Sequence, residues 1–111
     1  MLDTLRQWGC DIDAALERFV EDEDFYWECY NILFQGQELG ELEEHLNKGE
    51  VEDAFICAHG MKGTIGNLGL TPLFELLSPM VEILRAGKLD GVQEQFELLK
   101  QSWEEYKTLC K

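Results

Sequence analysis

His59 and Lys62 are the residues whose types and spacing point to chemistry in this chain. They lie in the run Cys57-Ala58-His59-Gly60-Met61-Lys62-Gly63-Thr64-Ile65-Gly66-Asn67-Leu68-Gly69, where glycine recurs at every third position from Gly60. A neutral imidazole nitrogen is a nucleophile near neutral pH. A lysine ammonium one turn away is a point charge for anionic oxygen, such as that of a phosphoryl group. The surroundings suit both roles. The chain carries 23 Asp and Glu, yet none lies between Asp53 and Glu75, and Lys62 is the only Lys or Arg in that window. Carboxylates there would repel an incoming anion and compete for Lys62.

On a helical wheel of about 100° per residue, Val51, Ala54, Phe55, Ala58, Met61, Ile65 and Leu68 share one face, which marks the core side. His59 points roughly 125° from the centre of that face and is expected to be exposed. The outward strip is Ile56, His59, Gly60 and Gly63, flanked by Lys62 and Gly66. Each interior glycine costs a helix about 1 kcal/mol relative to alanine. Gly60, Gly63 and Gly66 together cost roughly 3 kcal/mol, which calls for a compensation. On an outward face that compensation is a partner whose backbone approaches the helix. An exposed Ile56 fits the same docking patch.

A helix must hold these residues, and the rest of the chain reads as helices packed around it. Only two prolines occur, and the apolar spacing follows a period of 3.6 rather than 2. Asp13 is expected to cap a short helix running to about Val20. Asp22 or Asp24 starts a second, through Phe25, Tyr26, Cys29, Ile32 and Leu33 to Gly36. Leu39, Leu42 and Leu46 mark a third, stopped by Asn47-Lys48-Gly49. Val51 opens the fourth, which carries His59 and ends near Gly69. Thr71-Pro72 reads as a cap followed by proline at the first helical position of the fifth, which runs to Ala86-Gly87. The sixth runs from about Asp90 to the C-terminus through Val92, Phe96, Leu99, Trp103, Tyr106 and Cys110. Short connections make consecutive long helices antiparallel. The expected architecture is all-α: an up-down antiparallel four-helix bundle with short additional N-terminal helices. One domain over 1–111 is expected, with the bundle core at about 37–111 and the N-terminal helices at about 4–35. Trp8, Phe19 and Trp27 would pack on one end of the bundle.

Composition excludes several classes. A net charge of −14 and the lack of Lys/Arg clusters argue against nucleic acid and against an anionic membrane surface. Residues 1–53 hold 16 acids against Arg6, Arg18 and Lys48, a solvated face that keeps the protein soluble. Cys10, Cys29, Cys57 and Cys110 show no C-x-x-C spacing, so they read as small apolar filler rather than a metal or redox centre. No apolar run approaches the ~18 residues of a membrane span, and no signal peptide is visible. A cytoplasmic protein is expected. No metal site is expected either. A di-iron bundle needs two E-x-x-H motifs, and Leu42 and Ile56 stand where His45 and His59 would need a glutamate. His45, in Glu43-Glu44-His45, reads as a surface histidine.

The run Ala58-His59-Gly60-Met61-Lys62-Gly63, followed by Asn67-Leu68-Gly69-Leu70, resembles histidine-containing phosphotransfer (HPt) domains of bacterial two-component phosphorelays. Their hallmark is H-x-x-K-G on a helix of a four-helix bundle. Ala54 and Leu73 also follow the pattern, and Ala15-Leu16-Glu17-Arg18-Phe19 before Asp24-Phe25-Tyr26 resembles the lead-in of bacterial members. The resemblance implies that His59 accepts a phosphoryl group from a receiver-domain phospho-aspartate and passes it to another receiver. It implies that Lys62 binds the phosphate and that Gly63 makes room for the receiver. The partners implied are response-regulator receivers and hybrid histidine kinases. No cofactor belongs to the chain itself, and Mg²⁺ is expected on the partner receiver only. Gly63-x-x-Gly66-x-x-Gly69 lacks the G-K-[ST] of a P-loop, so no ATP site is expected and the chain reads as a phosphocarrier rather than a self-contained enzyme. A monomer is expected. The alternative is a non-catalytic helical adaptor that binds and sequesters a receiver or histidine kinase.

Overall fold

The computed structural model describes residues 2–110, and every element in it is a helix. The chain opens with α1 (Leu2–Gln7), which buries Leu2 and Leu5. The periodicity did not single this helix out, because six residues with two apolar positions are too few to display a period. α2 (Ile12–Arg18) is capped by Asp11, whose Oδ1 accepts the Ala14 N–H at 3.3 Å. The expected cap, Asp13, sits instead inside the first turn, where its charge also suits the helix dipole, and it pairs with Arg6 at 2.9 Å. α2 stops short of Val20 because Val20 and Glu21 turn to φ of 55° and 59°. The Glu21 N–H then reaches back to the Leu16 carbonyl at 2.8 Å and closes the helix end.

α3 (Glu23–Gln35) starts on Asp22, whose Oδ1 accepts the Phe25 N–H at 3.0 Å. α4 (Glu38–Asn47) and α5 (Val51–Asn67) follow with the expected stops. α6 (Thr71–Arg85) departs from expectation by one residue: Leu70 is the N-cap, Thr71 opens the helix and Pro72 comes second. Only three residues separate α5 from α6, and fully buried Leu70 is held in place by its N–H on the Ile65 carbonyl at 3.1 Å. The Thr71 hydroxyl is left to donate to the Gly69 carbonyl at 3.4 Å rather than cap the helix. α6 continues through Pro79, whose ring lies on the exposed side. α7 (Val92–Lys107) opens at Gly91, with φ of 76°, rather than at Asp90.

The helices α4 to α7 pack in a ring, each against the next, with α7 back against α4, and α3 lies along α7. Their inward residues make one contiguous core, including Leu42, Met61, Ile65, Leu77, Phe96 and Leu99. An aromatic column extends it. Tyr30 and Phe34 of α3 meet Trp103 and Tyr106 of α7, and Trp8 meets the edge of Tyr106 at 4.9 Å. Tyr106 is buried in the core. The Tyr30 hydroxyl donates to the Tyr106 carbonyl at 2.6 Å, so the column keeps its polar ends satisfied. No side-chain polar atom buried among the described residues lacks a partner.

His45 closes the α4–α5 turn. Its Nδ1 lies 2.8 Å from Glu50 Oε1, and the Glu50 N–H donates to the His45 carbonyl at 2.9 Å. The hydrogen bond to Glu50 pushes the His45 pKa up, with Asp53 and Glu44 adding to it and burial opposing it. A raised folded-state pKa means that protonated His45 contributes stability fully present below about pH 6.5 and lost as pH rises through the folded value. His45→Gln should therefore lose more stability relative to wild type at pH 6 than at pH 8.5, read from urea midpoints at the two pH values. Equal losses at both would rule this ion pair out as a pH-dependent contribution.

Candidate functional site

α5 carries the site, and its two ends are held differently from its middle. At the C-terminal end, the Arg18 guanidinium donates to the Gly66 carbonyl at 2.9 Å and to the Asn67 carbonyl at 3.2 Å. The Tyr26 hydroxyl donates to the Leu68 carbonyl at 2.6 Å. Helix-end carbonyls lack the N–H donors of a following turn. The Gly66 carbonyl shares its acceptor oxygen with the Gly69 N–H at 3.1 Å, and a cation there also meets the negative end of the helix dipole. The N-terminal helices thus hold the end of α5 that lies just past Lys62 and Gly63. Arg18→Ala should lower stability by about 1 kcal/mol, since the guanidinium is exposed. Chemical denaturation measures this, and an unchanged midpoint would remove Arg18 from the cap.

In the middle of α5, Ala54, Ala58, Met61 and Ile65 are buried, and the opposite face is open. Ile56, His59, Gly60 and Gly63 are exposed, with Lys62 and Gly66 half-buried beside them. Val51 and Phe55, read as core, are only partly buried. The His59 ring stacks on Phe55, one turn earlier, with centroids 5.5 Å apart and planes at 29°. Neither His59 ring nitrogen has a hydrogen-bond partner among the described residues. Lys62 has no ion-pair partner there either; its ammonium lies 5.1 Å from the centre of the Phe74 ring, contributed by α6. His59, Lys62, Gly63, Gly66, Asn67 and Phe74 line one open groove.

The three glycines separate into two kinds. A methyl group on Gly60 or Gly63 would meet nothing within 4 Å, so packing inside the chain demands neither. A methyl group on Gly66 would meet Phe74 at 3.2 and 3.4 Å. Gly66, grouped by the sequence with the docking glycines, thus also lies close against Phe74 of α6.

The acid-free window is acid-free on one flank only. Towards α6 the groove holds His59 and Lys62 and no carboxylate. Towards α4, Glu38, Glu41 and Asp53 line a second groove with Ile56, Gly60 and Thr64. Burial, with Glu41 nearby, raises the Glu38 pKa. An anion approaching this face is directed to the α6 side. Cys57, two residues before His59, is no rival nucleophile: burial, with Glu41 and Glu38, pushes its thiol up to about 11. His45, Glu50 and Asp53 present ligand-type atoms within 4.8 Å of one another, a grouping the sequence reading did not make. Glu50 and Asp53 are exposed, and His45 and Glu50 form the ion pair described above.

Phe55, Phe74, Arg85 and Arg18 are the site neighbours that sequence reasoning missed. Only the Phe55–His59 spacing of four carried a signal. No helix among the described residues is long and apolar enough to cross a membrane. No curated protein and no solved structure matches the chain. The family model for the Hpt domain matches residues 35–108, which span α4 to α7 and every residue lining the His59–Lys62 groove. Hpt domains are helical bundles that take part in phosphotransfer in phosphorelays, alongside receiver domains and kinases. On that match, covering most of its length, this chain belongs to the Hpt domain family.

Proposed function

We propose that this chain is a phosphocarrier in which His59 accepts a phosphoryl group from the phospho-aspartate of one receiver domain and passes it to another. The carrying observation is an exposed imidazole with both nitrogens unpartnered, beside an unpaired Lys62 on the acid-free flank of α5. The lone pair of the deprotonated ring nitrogen attacks phosphorus. The bond from phosphorus to the aspartate oxygen breaks, and the carboxylate leaves with that electron pair. The other ring nitrogen keeps its proton until solvent takes it. The reverse sequence delivers the group to a second receiver. Lys62 offers its ammonium to a phosphoryl oxygen, and Gly60, Gly63 and Ile56 form the surface on which the receiver sits. Mg²⁺ bound to the receiver supplies charge stabilisation there. The chain acts as one domain and a monomer in the cytoplasm, a setting compatible with its four free thiols.

The test is transfer from a panel of receivers charged by a small-molecule phosphodonor. Acid-labile, base-stable label on this protein supports the reading. Binding without label across the panel overturns it in favour of a sequestering adaptor.

A further inference from the structure

We propose that Phe55 is a positioning residue: its stacking contact, rather than a hydrogen bond, holds the His59 ring in the attacking orientation. The inference rests on His59 being the phospho-accepting residue. An exposed imidazole without a hydrogen bond samples several rotamers, and each productive encounter must select one. Transfer is fastest when the nucleophile is already aligned. The ring of Phe55 packs on the His59 ring at a separation and tilt typical of a favourable offset stack, and no described residue hydrogen-bonds to that imidazole. Phe55 is itself held. It is partly buried against the core, and the Arg85 guanidinium of the last turn of α6 lies 5.1 Å from its ring centre. Arg85 in turn lies 3.4 Å from Glu82, one turn earlier on α6. A chain of contacts thus runs from α6 through Arg85 and Phe55 to His59. It leaves both nitrogens of the imidazole clear for the partner, which an orienting hydrogen bond would not.

A purely structural Phe55 would fill the edge of the core and nothing else. The two roles separate in Phe55→Leu, which keeps apolar bulk and loses the stack, and in Phe55→Tyr, which keeps the stack. The probe is a phosphorylated receiver that charges the wild-type protein. At saturating receiver, Phe55→Leu should transfer about fivefold more slowly, the scale of one aromatic contact. Its half-saturation concentration should be unchanged, and Phe55→Tyr should restore the rate. Arg85→Gln, at an exposed position, should slow transfer by a smaller factor and keeps the test available if Phe55→Leu unfolds. In the unmodified protein, nuclear Overhauser contacts between the Phe55 and His59 rings should be present. Wild-type rates in both Phe55→Leu and Arg85→Gln, or absence of the ring–ring contacts, overturn the proposal. His59→Gln runs in parallel. If it takes label, the assignment of His59 fails. If it takes none while Phe55→Leu and Arg85→Gln both match wild type, the positioning role alone fails.

Discussion

Replacing His59 with glutamine should abolish phosphoryl transfer while leaving the fold and receiver binding in place. Glutamine has similar bulk and polarity, but its amide nitrogen is not nucleophilic because its lone pair is delocalised into the carbonyl. His59 is exposed and makes no hydrogen bond among the described residues, so its loss leaves no buried group unpaired. The ring stack on Phe55 is lost, at a cost of about 1 kcal/mol of stability. The expected result is no acid-labile label and a thermal midpoint close to wild type. Affinity for the receiver should change by less than about threefold, because the proposed docking surface of Ile56, Gly60 and Gly63 is untouched. Label on the variant would mean that another residue accepts the group. Cys57 is a poor candidate for that, with its thiol held neutral. In a cell, a sequestering protein would keep its output with glutamine at this position, whereas a phosphocarrier would lose it.

Gly69→Ala should be the most destabilising single-methyl change in the chain. Gly69 ends α5 with φ of 72°, in the left-handed region. Its N–H reaches the Gly66 carbonyl at 3.1 Å while the Leu70 N–H reaches Ile65, the paired bonds of a glycine-terminated helix. A non-glycine residue there costs about 1 kcal/mol for conformation alone. The larger cost is contact. A methyl group would lie 2.3 Å from the Asp11 carbonyl oxygen and 3.0 Å from the Ala15 side chain. Backbone cannot yield as a flexible side chain does, and the Asp11 N–H already donates to the Gly69 carbonyl at 2.8 Å. The junction of α1 with α2 must therefore separate from the junction of α5 with α6. A loss of about 3–5 kcal/mol is expected, against a total of about 5–15 kcal/mol for a domain of this kind. Gly87→Ala is the control. Its φ is also positive, at 75°, but nothing lies within 4 Å of the added methyl. It should cost only about 1 kcal/mol. Urea denaturation of the three proteins reads the difference, and equal losses at the two positions would show that contact at Asp11 is not the cause.

The two predictions differ in how far they could be read from the residues. His59, Lys62 and Gly63 stand close together in the chain, so helical geometry alone sets their mutual placement, and the apolar period says which face they occupy. The same holds for the helix stops at Gly36 and Gly49 and for the burial of Ala58, Met61 and Ile65. Capping was less legible. Asp11 and Asp13 both precede apolar residues, and the choice between them depends on the Asp11 N–H bond to Gly69, 58 positions away. Thr71 and Pro72 form a good local start signal, yet the demand to bury Leu70 moved the helix start by one residue.

By itself the sequence determined that the chain is helical, that one helix presents an imidazole and an ammonium outward, and that acids are excluded from that segment. These follow from composition and from a period of 3.6 acting over one or two turns. Tertiary structure alone decided which flank of α5 stays free of acid, because Glu38 and Glu41 reach one side from α4 while Phe74 comes to the other from α6. It also decided that Gly66 lies close against Phe74, that Arg18 and Tyr26 hold the end of the site helix, and that Arg85 backs Phe55 against His59. Each of these joins residues from different helices. Their meeting depends on how whole helices pack, which local spacing does not encode.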